Sequence, residues 1–476
     1  MNTSLALLTD LYQLTMAQGY WKSGLGRHEA VFHLYFRANP FKGGYAVACG
    51  LEPAAEFLEG LRFSEDDLAF LAELPGPGAG PPGSDGRRLF EPGFLERLAG
   101  LRLTCDLDAA PEGTAVFAPE PMLRVQGPLL ECQLLETALL NIVNFQTLIA
   151  TKASRVALAA AGAPVLEFGL RRAQGPDGGL SASRAAFVGG CAATSNVLAG
   201  RLYGIPVAGT HAHSWVMAFE SELEAFEAYA DANPGDCVFL VDTYDTLEGV
   251  RQAIEAGRRL RSRGRRLAGV RLDSGDLAAL SKAARRLLDE AGFTDAFIAA
   301  SNDLDETRIA ALLERGASIG VWGVGTRLVT GDGQSALGGV YKLAALRPPG
   351  GEWRDVLKAS EDPGKASYPG MLQVRRFHEG RRPVRDLIFD LRRPPPIPST
   401  GWEDLLVPVF RAGRRVRPPE GLEAVRARCR SQLASLPAGT LRLSSPQRFP
   451  VELEPGLAAR RAALMEGARL TPADRR

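Results

Sequence analysis

From residue 164 the chain alternates short apolar runs with longer amphipathic stretches. The runs fall at 165–168, 205–208, 238–241, 268–272, 297–300 and 319–322, and helix-like segments follow most of them, such as 246–263 and 276–290. Runs this short and this apolar read as strands buried on both faces, and the stretches between them as covering helices. Repeated six or so times, the pattern predicts parallel strands, either as a barrel or as an open doubly wound sheet. No Gly-x-Gly-x-x-Gly follows the first run, which weakens the dinucleotide-binding version of the open sheet.

Upstream the pattern is mixed. Strand-like runs at 31–36, 114–117 and 123–125 lie among helical pieces, and 75–86 is a Gly/Pro-rich loop. Leu135, Leu139, Ile142, Phe145 and Ile149 recur at three- and four-residue spacing, predicting one long helix over 129–161 with core packing along that face. Beyond Lys342 the chain turns arginine- and proline-rich, with an extended connection at 392–398, a helix over 421–436 and a frayed end at 473–476. The expected division is a mixed α/β N-terminal domain (1–130), a βα barrel (131–345) and a smaller C-terminal region (346–476) packing on the first two.

Polar residues gather at the ends of the predicted strands. Arg171, Thr210, His213, Asp242, Asp273, Ser301, Asn302 and Gly325 all lie just past an apolar run. In a parallel βα barrel those ends share one face, where active sites are built, and this regularity favours the barrel. Two of the five histidines sit in Gly209-Thr210-His211-Ala212-His213-Ser214; a strand-end imidazole is placed to pass a proton or a phosphoryl group. Arg271 and Asp273 are two apart on a strand and so face the same side. There they could serve diphosphate and ribose or a metal, or form a structural ion pair with Ser274 capping the next helix. The turns Gly323-Val324-Gly325-Thr326 and Gly338-Gly339 could let backbone N–H groups approach a phosphate, or be a tight turn and a β-bulge.

Composition narrows the classes. With 45% hydrophobic and 23% charged residues, 476 in all, the chain is an ordinary globular protein long enough for two or three domains. A net charge of +1 gives no overall case for nucleic acid or an anionic membrane. The six cysteines include no Cys-x-x-Cys pair, which argues against structural zinc and a disulfide framework. With no signal-like or membrane-spanning run, a cytoplasmic, reduced protein is expected.

The motifs Thr9 to Met16, Phe36 to Phe41, Glu167 to Gly179, Gly209 to Ser214, Leu240 to Asp245, Val270 to Asp276, Gly323 to Arg327 and Leu337 to Leu343 recur in one order. Together they resemble the nicotinate phosphoribosyltransferase family over most of residues 5–375. The resemblance implies an irregular α/β barrel beside a mixed α/β domain. It implies an ATP-dependent, ligase-type enzyme of NAD salvage that makes nicotinate mononucleotide and diphosphate from nicotinate and 5-phosphoribosyl 1-diphosphate. His213 matches the histidine phosphorylated from ATP, and Arg271 and Asp273 match the phosphoribosyl diphosphate motif, Asp273 also with Mg2+. Phe168, Arg171 and Thr210 match the nicotinate site; Asp242, Gly325, Thr326, Gly338 and Gly339 join the substrate-binding set. Tyr12 matches a tyrosine that reaches the base from a neighbouring subunit, implying a homodimer with shared sites. Ser367 stands where the family often has threonine, with the hydroxyl kept, and His211 has no assigned role. Alternatives are a nicotinamide or quinolinate phosphoribosyltransferase, or a non-catalytic metabolite-binding relative; the basic Arg171-Arg172 favours an acidic base.

Overall fold

The structure is a computed structural model describing residues 5–76, 88–233, 235, 237–360, 366–397 and 399–469. It forms two compact units, Met1–Thr147 with Ala336–Arg476, and Leu148–Ser335. Most of the expected loop at 75–86 and the terminus at 473–476 lie outside the described residues.

The first unit is built on sheet that is antiparallel except where Val451–Leu453 joins Arg382–Asp390 in parallel. A seven-stranded sheet runs in the order Arg354–Asp355, Gly339–Arg347, Glu29–Phe36, Pro121–Pro128, Asp106–Ala109, Val407–Arg411 and Arg414–Arg415. Three N-terminal strands lie at its centre with C-terminal strands on both flanks, which is why the N- and C-terminal stretches make one unit and not two. A second sheet joins Trp402–Asp404, Leu372–Glu379, Arg382–Asp390 and Val451–Leu453. Glu29–Phe36 is buried on both faces from Ala30 onward, so its sequence lacks polar alternation. His33 within it must then be neutral: burial pushes its pKa down to about 3, and its Nε2 accepts the backbone N–H of Leu372 at 3.1 Å. The expected helix over 129–161 is two helices, Leu129–Leu134 and Glu136–Ala159.

The second unit carries the βα pattern. Its strands are β1 (Val165–Glu167), β2 (Ala193–Thr194), β3 (Cys237–Leu240), β4 (Leu267–Leu272), β5 (Phe297–Ala300) and β6 (Val321–Val324). They form one parallel sheet in the order β2-β1-β6-β5-β4-β3. The expected strand at 205–208 is reduced to a single parallel bridge between Val207 and Thr194. Pro206 has no N–H to donate and Gly209 follows, so pairing stops there. The run at 319–322 is shifted to 321–324.

Helices seal the sheet from outside. Helix α1 (Glu222–Ala232) precedes β3, α2 (Thr246–Ser262) follows it, and α3 (Leu277–Glu290) follows β4. Helix α2 starts where the Asp245 side chain accepts the N–H of Glu248 at 2.8 Å, and it buries Val250, Ala253, Ile254, Gly257 and Leu260. Each large aliphatic so buried stabilises by about 1.5–3 kcal/mol. A Cβ on Gly249 would stand 2.0 Å from the carbonyl oxygen of Val241, so the first turn of α2 presses directly on the end of β3. Helix α3 is capped by Asp276, which accepts from Ala278 and Ala279, and not by Ser274. Ser274 is thereby left for the site.

Candidate active site

Asp242 is the first organising residue. It follows β3, and its side chain is 0% exposed. Its Oδ2 accepts the N–H of Asp273 at 2.8 Å and the hydroxyl of Ser274 at 2.6 Å, while Oδ1 lies 3.3 Å from Nε2 of His213. The carboxylate thus ties the end of β3 to the loop after β4 and orients the imidazole. With Nε2 donating to Asp242, Nδ1 of His213 carries the free lone pair. His213 opens a single helical turn, His213–Val216, and is 40% exposed, so it remains reachable.

Arg271 is the second. Its guanidinium donates through Nε to Ser301 Oγ at 2.9 Å, through Nη1 to Thr210 Oγ1 at 3.0 Å and through Nη2 to Asp273 Oδ1 at 3.2 Å. Ser301 Oγ donates in turn to the same Asp273 oxygen. A guanidinium carries five N–H groups, so three of them are engaged and two stay available. The cation lies 5.6 Å from the centre of the Phe168 ring. Phe168, Thr210 and Arg271 line a cavity of about 130 Å³, whose remaining wall is apolar, including Val238, Phe297 and Val321. A cavity of roughly 150 Å³ holds a benzene molecule, so this one suits a single six-membered ring. A Cβ on Gly323 would stand 2.8 Å from the Phe168 ring, and glycine there is what lets the ring seat.

The sequence-derived candidates therefore divide. Phe168, Thr210, His213, Asp242, Arg271 and Asp273 come together at the strand ends of the second unit. Arg171 is exposed on the turn Leu170–Arg172, after Phe168 in the same loop. Gly325 follows β6, where a Cβ would stand 3.0 Å from the Phe168 carbonyl oxygen; the role this supports is close packing of two loops. Thr326 begins the short helix Thr326–Val329. Tyr12, Gly338, Gly339 and Ser367 belong to the first unit. Tyr12 is 49% exposed on the helix Leu11–Lys22. Gly338 has φ +75° and is exposed. Gly339 opens a strand, with Asn144 filling the space of a side chain; the register shift of that strand pair falls at Val31/Phe32 and not at the glycines. Ser367 is fully buried, and its Oγ accepts the N–H of Lys358 at 2.8 Å.

Sequence reasoning left other members without a role. Ser301 stood among the strand-end residues and Ser274 as a possible helix cap, and both supply hydroxyls that fix the two aspartates; a serine past a strand carries little signal by itself. Glu167 is buried at the end of β1, where it accepts from Thr194 Oγ1 at 2.6 Å, from Ser183 Oγ at 3.0 Å and from the N–H of Gly169, setting the loop that presents Phe168. Glu222, at the start of α1, has its pKa raised to about 7 by burial first and then by Glu248, Asp245 and Asp242. Among the described residues no group of three or more His, Cys, Asp or Glu is placed to hold a metal. Asp273 nonetheless offers an oxygen, Oδ2, with no protein partner among the described residues; one carboxylate plus substrate phosphates is the usual way a protein holds magnesium.

Models of nicotinate phosphoribosyltransferase match this chain in three stretches, its N-terminal domain at residues 7–144, its family core at 164–384 and its C-terminal domain at 388–460. The nicotinate phosphoribosyltransferase of Bacillus subtilis is 50% identical over 379 residues, 79% of this chain and 73% of the relative. The human protein of that name is 37% identical over 528 aligned positions, covering 99% of this chain and 92% of its own. The crystal structure of human nicotinic acid phosphoribosyltransferase superposes with a TM-score of 0.83 at 33% identity, over 96% of this chain and 100% of that one.

Proposed function

The chain belongs to the nicotinate phosphoribosyltransferase family, and on that premise we propose that it joins nicotinate to 5-phosphoribosyl 1-diphosphate, releasing diphosphate, with ATP hydrolysis coupled through His213. The observation that carries this reading is the cavity in which an aromatic face, a hydroxyl and a guanidinium meet at Phe168, Thr210 and Arg271. Nicotinate is a flat ring with one carboxylate and asks for these groups at this size. The ring nitrogen attacks the anomeric carbon of ribose as the diphosphate oxygen leaves with the bonding electrons. Positive charge then develops on the sugar, and the Asp273 carboxylate, whose Oδ2 has no protein partner among the described residues, is placed to offset it. Magnesium, bound by Asp273 and the substrate's phosphates, would neutralise charge on the leaving group.

The coupling rests on the His213–Asp242 contact. Nδ1 of His213 takes the γ-phosphoryl group: its P–N bond forms as the P–O bond to ADP breaks. Water later cleaves the P–N bond and restores the imidazole. The ring is cationic while phosphorylated, and the Asp242 carboxylate stabilises that state. The second subunit is read from the N-terminal segment, where Leu5, Leu8, Leu11, Tyr12 and Met16 leave apolar surface exposed. A homodimer that lends Tyr12 to its partner's base site accounts for that surface. The cysteines, all buried and free of disulfides, and the absence of any described helix apolar and long enough to cross a membrane suit a cytoplasmic enzyme.

Incubation of the pure protein with phosphoribosyl diphosphate and each of nicotinate, nicotinamide and quinolinate, with and without ATP, tests the reading. Nucleotide should form from nicotinate alone, and ATP should drive its yield upward. Preference for either other base, or a yield indifferent to ATP, overturns the corresponding half.

A further inference from the structure

The parallel sheet of the second unit has two edges. One is the single bridge at Val207 beside β2, and the other is β3, which among the described residues pairs with β4 alone. Successive N–H groups of a strand point to opposite sides. Val241 donates to Arg271 of β4 at 3.2 Å, so the N–H of Leu240 points the other way, out of the sheet's free edge. Leu240 is 1% exposed, and an orphaned amide there would be costly. It is not orphaned: it donates to Nε2 of His211 at 3.2 Å. His211 lies on the chain just beyond the Val207 bridge. Its imidazole therefore stands where a carbonyl of the missing strand would stand, joining the two edges.

The ring is held in that place. Tyr229 from α1 meets it edge-on with centroids 4.8 Å apart, and Phe226 of α1 and Phe239 of β3 lie at 6.0 and 6.3 Å. Because Nε2 accepts, the proton belongs on Nδ1, which faces the carbonyl of Ala212 at 3.5 Å. The neighbours on either side are the functional ones. Thr210 donates to the carbonyl of His211 at 3.2 Å and receives Arg271, and His213 reaches Asp242.

We propose that His211 is a positioning residue: its neutral imidazole closes the seam between the two edges of the parallel sheet through the amide of Leu240 and so fixes Thr210 at the base and His213 at the phosphoryl donor. The inference rests on the roles given to Thr210 and His213 above, and the first measurement below is independent of them. In protein labelled with 15N at histidine, the signal lost in His211→Gln identifies residue 211. That signal should show the tautomer protonated at Nδ1 at neutral pH; one protonated at Nε2 overturns the seam itself, whatever the enzyme does.

The second measurement compares His211→Leu, which keeps apolar bulk without an acceptor, with His211→Gln, whose amide oxygen can take the place of Nε2. In full-length folded protein, His211→Leu should raise the KM for nicotinate tenfold or more and cut the ATP-derived phosphoenzyme at least tenfold per folded chain. His211→Gln should recover both to within about threefold of the parent. A merely structural role would lower the melting temperature and leave these site properties unchanged, so a folded His211→Leu with parental KM and labelling overturns the positioning. If His211→Leu fails to fold, the recovery or loss in His211→Gln decides on the same scale.

Discussion

Replacing Asp242 with asparagine removes a charge from the centre of the site while leaving its volume in place. The two groups on Oδ2, the Asp273 amide and the Ser274 hydroxyl, are both donors to it. The asparagine oxygen will therefore settle there, and the amide nitrogen will face Nε2 of His213. That nitrogen donates, so Nε2 has to accept and the proton moves to Nδ1, the atom that attacks ATP. The change costs twice. At 3.3 Å a carboxylate and an imidazolium attract by about 5 kcal/mol at an effective dielectric of 20, and by about 1 kcal/mol in water. His213 is 40% exposed, so screening brings the loss to roughly 2–3 kcal/mol, a ~30- to 150-fold slower phosphorylation. The wrong tautomer slows it further; in a buried serine-protease triad the same exchange costs about 10⁴. Rapid-quench labelling with γ-labelled ATP reads the rate, while nucleotide synthesis without ATP should fall much less. The Oδ2 contacts survive, so the melting temperature should move by only a few degrees. Phosphorylation of Asp242→Asn at the parental rate would refute the assigned role of the His213–Asp242 pair.

His213→Ala should lose the acid-labile phosphoryl adduct and ATP-driven turnover while keeping some ATP-independent synthesis; equal labelling of the variant excludes His213 as acceptor. Asp273→Asn should weaken use of phosphoribosyl diphosphate with little change in thermal stability, because no cavity opens at a polar mouth; unaltered kinetics for that substrate count against it. Tyr12→Ala should raise the nicotinate KM roughly tenfold through loss of an aromatic stack of about 1 kcal/mol together with its buried area. Mixed dimers with His213→Ala should regain activity, and their failure to do so removes the shared site. The pKa of His211 is depressed to about 4, by burial first and by Arg271 and His213 after it, so the unfolded chain binds the extra proton. Its contribution to stability is complete above pH ~6.5 and is lost as pH falls toward 4. Calorimetry from pH 7.5 to 4.5 should therefore show a shallower loss in His211→Gln than in the parent. Parallel curves would mean that the histidine titrates normally.

The sequence alone determined most of the βα succession of residues 164–324, though not the strand Ala193–Thr194, and the strand ends where polar residues gather, because apolar period and helix caps are local. Phe297–Ala300 falls where its apolar run predicts, and α2 ends within a residue of expectation. Arg271 and Asp273 were legible as a pair because a two-residue spacing fixes a common face. The sequence also carried His213 and Asp242, each as a polar residue after a buried run, but not the 3.3 Å between them, which spans 29 residues of chain. Only tertiary structure decided that the first and last segments share one sheet, since strand pairing between distant segments leaves no mark on either strand. It alone decided that 205–208 would pair at one residue, that Ser367 would be spent on Lys358, and that Ser301 and Ser274 would hold the aspartates. His211 is the sharpest case. Its neighbours in sequence announce a polar loop, while its burial and its amide partner come from α1 and β3, and a histidine's protonation state is set by what surrounds it in space.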